Sequence, residues 1–332
     1  MKEKVGILLL VLLLCCGFAD DGQELPSLQG RLVYHSYVSY DDKGSRLCVF
    51  DFESGEMRDI SEEISAINPG VEHAMNGHFG SATDIVFMAM ELNQWGYDHW
   101  YVYHYNLDTK ALTNLVAGSE YNYEDPKYAP DGSRIVMKRR IWQDDDWSYS
   151  LVEMDMSTKD LTVLLEDGYE NSMPYYSRGG NRIYYAQYDG VESKIYSLNR
   201  ADLQVREEYA EQGVYAYYPV VRWTGQEEVY FSKWHSSSNR ADKIVQLTQT
   251  GYALLPFNTQ EAADYSDACP VGEGYMMLSA TLDGTYDLYL ADCETGELWP
   301  MSLYSPAINT DHRNELGAHY RIKALGPTKN PL

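Results

Sequence analysis

Tryptophan, carboxylate, histidine and arginine side chains gather in a few short segments of this chain, and those segments hold the residue types that could do chemistry. One is Glu91-Leu92-Asn93-Gln94-Trp95-Gly96-Tyr97-Asp98. Two more are Trp142-Gln143-Asp144-Asp145-Asp146-Trp147 and Trp234-His235-Ser236-Ser237-Ser238-Asn239-Arg240-Ala241-Asp242. Tyr121-Asn122-Tyr123-Glu124-Asp125, Tyr215-Ala216-Tyr217-Tyr218, Asp264-Tyr265-Ser266-Asp267 and Asp311-His312-Arg313-Asn314-Glu315 complete the set. Flat apolar rings beside carboxylates, amides and guanidinium groups hold sugars or peptide segments: the faces stack and the edges hydrogen-bond. On this basis the expected ligand-binding residues are Trp95, Tyr97, Glu124, Asp125, Trp142, Trp147, Tyr217, Trp234, His235, Arg240, His312 and Arg313. The competing reading is that these rings pack loop against loop.

Other groups point to chemistry less well. Asp144-Asp145-Asp146 resembles a cation loop, but the glycine and terminal glutamate of a calcium loop are missing, which favours a solvated acidic turn. His99 and His104 are five apart on one strand and so point to opposite faces. Neither they nor His73 and His78 have a third ligand at zinc spacing. No Gly-x-Ser-x-Gly elbow, phosphate loop or HExxH helix occurs, and no metal or cofactor is indicated. An enzyme of the polysaccharide lyase type would need a base beside a charge neutraliser. His73, His78, His235, Tyr217, Arg240, Arg313 and His312 are its candidates.

The elements that must position these segments recur. Six units of roughly 40–50 residues, each with four short strands, indicate a β-propeller. The second strands read Arg31–Tyr37, Asp84–Met90, Arg134–Arg140, Arg182–Gln187, Glu228–Lys233 and Tyr275–Ala280. Third strands follow after each, and Gly-bearing or polar turns such as Glu53-Ser54-Gly55-Glu56 lead to short fourth strands. Innermost strands are expected within His73–Gly80, Pro126–Gly132, Pro174–Gly180, Pro219–Gly225 and Cys269–Gly274. The strand at Arg31 has no inner partner ahead of it. Glu315 to Ile322 is otherwise unassigned, so it is expected to close the ring as that missing strand. The fold class expected is therefore all-β, a six-bladed propeller of four-stranded blades sealed by the C-terminal strand. The ligand-bearing segments would then fall on one face, around one end of the channel.

Pro126-Lys127-Tyr128-Ala129-Pro130-Asp131-Gly132-Ser133-Arg134-Ile135-Val136 resembles the repeat of the TolB-type bacterial propellers, with Ala129 in place of the usual serine. Pro174 to Ile183 is a weaker copy, and Pro219 to Gly225 weaker again, with Thr224 where aspartate is usual. The resemblance implies six blades, an exported location and partner binding, and no catalytic residue. It also suggests a scaffold in an envelope assembly.

Composition bounds the rest. The net charge of −24 opposes nucleic acid and anionic lipid surfaces as partners. Thirty tyrosines favour strands over helices. Lys2, Lys4, the apolar run Val5–Leu14 and Gly17-Phe18-Ala19 read as a signal peptide over residues 1–19, too short to span a bilayer. Processing as a lipoprotein at Cys16 is the alternative, so the exported protein is periplasmic, an outer-membrane lipoprotein or secreted. A single propeller domain over residues 20–325 and a tail at 326–332 complete the expected organisation. Cys48, Cys269 and Cys293 show no ladder of spacings; buried thiols are favoured over a Cys48–Cys293 disulfide. The expected function is binding of a glycan or a protein or peptide segment, with a lyase and an envelope scaffold as alternatives.

Overall fold

The computed structural model describes residues 25–236, 241–272, 274–310 and 312–322. The expected leader with Cys16, the site candidate Arg240 and the expected tail at 326–332 lie outside the described residues. In chain order the strands begin β1 (Arg31–Tyr37), β2 (Arg46–Asp51) and β3 (Glu56–Asp59). Helix α1 (Ile60–Ile67) follows, and Asp59 caps it by accepting from the Ser61 amide. Next come β4 (Glu72–Phe79), β5 (Asp84–Leu92), β6 (Asp98–Asn106), β7 (Leu112–Asn114), β8 (Asn122–Tyr128), β9 (Arg134–Gln143), β10 (Asp146–Asp155) and β11 (Leu161–Leu165). Then follow β12 (Glu170–Tyr176), β13 (Arg182–Tyr188), β14 (Ser193–Asn199), β15 (Val205–Tyr209), β16 (Val214–Trp223), β17 (Glu227–His235), β18 (Lys243–Thr248) and β19 (Gly251–Leu254). The last are β20 (Tyr265–Val271), β21 (Tyr275–Ala280), β22 (Asp287–Asp292), β23 (Leu298–Pro300) and β24 (Asn314–Arg321).

Four sheets have four strands each, ordered β24-β1-β2-β3, β4-β5-β6-β7, β8-β9-β10-β11 and β20-β21-β22-β23. The remaining strands, expected to form two blades, are hydrogen-bonded into one eight-stranded sheet. Its two antiparallel meanders meet at a single parallel bridge, Ser193 to Tyr215. The long β16 starts early enough to reach the start of β14, and Glu192 fixes the contact by accepting from the Gly213 amide at 2.8 Å. The fold is an all-β propeller.

Local chemistry sets the outer turns. Asp51, Asn106, Asp155 and Asp292 each end a third strand and accept backbone amides two and three residues on. Such Asx turns compete with the ladder and end it. Asp144 and Asp145 both have positive φ and form the two-residue turn between β9 and β10. That is the backbone of a primed hairpin, for which aspartate is suited. The acidic run is a turn, and Trp142 and Trp147 are strand residues paired across it.

The core lies in slabs between neighbouring sheets. Adjacent residues of β1 serve different slabs: Val33 joins Phe79, Phe87 and Tyr103 of the next sheet, while Leu32 and Tyr34 join Met277, Leu288 and Trp299 of the last one. A strand buried on both faces reads as a continuous apolar run, and Leu32–Tyr34 does. Cys48 and Cys269 are buried thiols in the second slab and Cys293 is a half-buried thiol. No described helix is long and apolar enough to cross a membrane.

β24 pairs antiparallel with β1, Leu32 opposite Tyr320 and Ser36 opposite Glu315, and so closes the ring. Gly317 lies at the register break in that pairing, with φ +61°. A Cβ there would stand 2.6 Å from the His35 ring. Gly317→Ala should therefore cost about 1–3 kcal/mol in stability, read as a lower urea midpoint; an unchanged midpoint would show that closure does not need this conformation.

Candidate functional site

The innermost strands hold more residues than the sequence reading gave them. β8, β12, β16 and β20 start four or five residues before the expected points, because each ladder runs on both sides of a bulge. Glu124, Asp125 and Tyr217 are therefore strand residues, not loop residues. In each inner strand a residue at a register break takes the left-handed backbone: Asn76, Asp125, Met173, Tyr218, Asp267 and, in β24, Gly317, while β4 has a second break at which His73 does the same. For a residue with a Cβ this costs roughly 1–2 kcal/mol. Asp125, Met173 and Tyr218 also precede prolines, which prefer an extended neighbour. Strain repeated at one level of a channel points to a site.

The six other than His73 all line a chamber of about 30 Å³ at the middle of the channel. That volume admits little more than a water or two. On one side of it lies a mouth of about 380 Å³, sharing Asn76, Asp125, Met173, Tyr218 and Asp267 with the chamber. Its wall adds Tyr37, Tyr40, Tyr217, Tyr286, Glu124, Lys138 and Glu170. On the other side lies a second mouth of about 240 Å³, sharing His78, Lys127, Tyr175 and His319 with the chamber. The ring of left-handed residues is thus the narrowing between the first mouth and the chamber.

Polar contacts fix the ring. Asn76 Nδ2 donates to Asp125 Oδ1 at 2.7 Å, and the Gly317 amide donates to Asp267 Oδ2 at 2.9 Å. Asp267 is buried, and burial pushes its carboxyl up to about 6, against the pull of the Gly317 amide and the Ser266 hydroxyl. Lys138 bridges Glu170 at 2.6 Å and Glu124 at 3.1 Å, and Arg140 Nε lies 2.5 Å from Glu124. His78 and His319 stack at 3.6 Å between ring centroids. Their Nδ1 atoms accept the Tyr128 and Phe79 amides, which places the ring proton on Nε2. Burial holds both well below the usual histidine range, so both are neutral.

The expected site residues separate into groups. Glu124, Asp125 and Tyr217 line the first mouth. Trp142 and Trp147 form an edge-on pair at 5.4 Å outside it, and Arg140 lies over Trp147 while bridging to Glu124. Trp95 and Tyr97 stand exposed on the turn between β5 and β6. Trp234 lies within β17, stacked on Tyr215 at 4.6 Å, with exposed His235 beside it near Gly213. Arg313 donates to the Ser36 hydroxyl and carbonyl, and His312 is exposed. The tryptophans are not among the residues that line the first mouth, whose wall comes largely from the inner strands. His73 and His78 also part: His73 lines a separate cavity with Lys43 and Glu72, and His78 lines the chamber and the second mouth. Among the described residues no cluster of three or more metal-ligating side chains occurs. Asn76, Lys127 and Met173 were missed, and Tyr218 and Asp267 lay in segments singled out but were not chosen; for Met173 and Tyr218 the available signal was the place just before Pro174 and Pro219, which Asp125 shares before Pro126.

No protein-family model matches the chain, and no curated protein matches it in sequence. Its fold has solved counterparts. It is similar to TolB from Acinetobacter baumannii, with a TM-score of 0.65 and 13% identity, over 90% of this chain and 68% of that one. It is similar to Kuenenia stuttgartiensis hydrazine synthase, with a TM-score of 0.68 and 11% identity, over 88% of this chain and 47% of that one. Oligogalacturonate lyase from Vibrio parahaemolyticus aligns at a TM-score of 0.51 and 12% identity, over 83% of this chain and 80% of that one. At these identities the likeness is one of fold, and it is the propeller fold of TolB.

Asp267 carries a pH signature. A carboxyl whose folded value is raised stabilises the fold while protonated, and that contribution is lost as pH rises through about 6. Asp267→Asn should match the wild type near pH 4 and exceed it by up to ~3 kcal/mol above pH 7, at 1.36 kcal/mol per unit. Urea unfolding at both pH values checks this; a difference that does not vary with pH would mean Asp267 ionises normally.

Proposed function

We propose that this protein is an exported, non-catalytic binding module, and that it takes a segment of a partner protein in the tyrosine-lined mouth, a basic side chain pointing at the left-handed ring. One observation carries the reading. Four carboxylates, Glu124, Asp125, Glu170 and Asp267, face that mouth against Lys138 alone, and the chamber below is too small to pass a ligand. A funnel that ends in carboxylates suits a lysine or arginine tip, and tyrosines around it give apolar contact at low entropic cost. The TolB-type resemblance supports export and partner binding. On this reading the eight-stranded sheet acts as two blades, and Trp142, Trp147 and Trp234 flank the mouth as an outer rim for the rest of the segment.

Binding is favoured over catalysis by the histidines. The Nδ1 atoms of His35, His73, His78 and His319 each accept a backbone amide. Burial lowers all four, His35 to about 3. A general base works best when poised near the working pH. A glycan remains the other ligand class for the same mouth, through stacking on the tyrosines.

The test uses the full chain with labelled basic, neutral and acidic peptides and neutral and acidic oligosaccharides, followed by fluorescence anisotropy. Basic peptides should bind, more weakly as salt rises. Tyr217→Ala or Asp125→Asn should weaken them by about tenfold or more, as expected for central contacts. Trp142→Ala with Trp234→Ala should weaken them by less and leave the melting temperature nearly unchanged. Preference for acidic oligosaccharides, or an unsaturated ultraviolet-absorbing product from them, would overturn the proposal.

A further inference from the structure

The second mouth differs in charge from the rest of the molecule. Its wall holds Lys127, Arg178, Arg222 and Arg321 beside Trp223, Tyr128, Tyr175 and Tyr176, and no carboxylate. The chain around it carries 50 acidic residues against 26 basic ones. Chance placement would surround these cations with carboxylates, as happens elsewhere in the fold.

A census of the cations isolates three of the four. Fifteen described lysines and arginines make ion pairs with carboxylates. Lys159, Lys243 and Arg313 instead donate side-chain hydrogen bonds to backbone oxygens. Arg222 belongs to the first group, through Glu228 at 3.0 Å. Lys127, Arg178 and Arg321 are the three described cations with neither kind of partner, and all three line this mouth.

For Lys127 the setting makes the lack of a partner costly, and Arg178 and Arg321 stand beside it with solvent contact. Lys127 lies inside the channel, between the chamber and the mouth, where burial disfavours its charge. Asp125 and Asp267 support that charge from the chamber side without a hydrogen bond to it. Arg178 lies over the Trp223 ring at 4.5 Å, and Glu227 beside it is engaged by the Arg178 amide and the Tyr184 hydroxyl. The charges of Lys127 and Arg321 both act on His78 and His319, which places them around one space. A partly buried cation without a protein counter-charge calls for one from solution. Guanidinium forks match the oxygens of carboxylate and phosphoryl groups, and an ammonium adds a point charge.

We propose that this mouth is an oxyanion site, in which Lys127, Arg178 and Arg321 take a phosphoryl or carboxylate group of a small molecule. It lies on the far side of the chamber from the tyrosine-lined mouth and does not depend on what binds there.

The experiment measures calorimetric binding of inorganic phosphate and of citrate to the full chain at fixed ionic strength, with chloride as the reference. At least one should bind, and which one does distinguishes phosphoryl from carboxylate recognition. Arg178→Gln with Arg321→Gln should weaken it by about tenfold or more; both side chains keep solvent contact, so the variant should fold. Lys159→Gln removes one charge from an exposed turn elsewhere and should change nothing. Tyr217→Ala should leave anion binding intact, which separates this site from the first mouth. Binding no stronger than chloride, an unaffected double variant, or an equal loss in Lys159→Gln would overturn the proposal.

Discussion

The pairing of β24 with β1 is the constraint on which the rest of the structure depends. It joins residues nearly three hundred positions apart in sequence, so its loop-closure entropy is large, and only a ring sealed all round repays it. The payment is visible in the core. Leu32 and Tyr34 have a slab to fill only because the last sheet is carried round to them, and Val33 fills the slab on the other side. Without that closure one face of β1 would meet water. Closure also brings Gly317 and His319 to the axis, where they complete the chamber wall.

Once closed, the ring presents the same backbone device at every inner strand. The left-handed residue in each bulge turns one side chain toward the axis, and its identity then varies: amide, carboxylate, thioether, phenol, carboxylate, hydrogen. A repeated backbone with unrepeated side chains is what a binding wall needs, since the scaffold sets distance and the side chains set chemistry. The conserved cost per strand is small beside the burial of the slabs, and it is borne where the channel narrows.

Much of this was legible in the sequence, for physical reasons. Strands of β-branched and aromatic residues between Asp-Gly and polar turns gave the fold, and the unassigned run from Glu315 to Ile322 gave the closure, because β1 had no other inner partner. The Trp142–Trp147 segment was visible but misjudged. Its aspartates look like a loop, and only φ shows Asp144 and Asp145 as a two-residue turn that returns both tryptophans to strands. The ring at the axis was not legible, since hydrophobic alternation does not encode a bulge. Pro126, Pro174 and Pro219 marked the level, yet they read as strand starts, and the residue before each carries the site. The cations of the second mouth are scattered at 127, 178 and 321, and only the fold makes them neighbours.

The two mouths are opposite in character and share one wall. The first is lined by carboxylates and tyrosines, the second by four cations of which Arg222 alone is ion-paired, and the chamber between them is too small to connect them for anything but water. Lys127 is the residue that belongs to both sides. Toward the chamber its ammonium offsets Asp125 and Asp267; toward the second mouth it adds to Arg178 and Arg321. One buried charge cannot be fully compensated in both directions, and in a low-dielectric channel its field reaches further than it would at the surface. The neutral His78–His319 stack next to it carries no charge of its own and leaves that field unscreened. The protein thus gathers cations without carboxylates at one end of the axis and an excess of carboxylates at the other, an arrangement that ion pairing of the kind made by fifteen described cations would otherwise have erased.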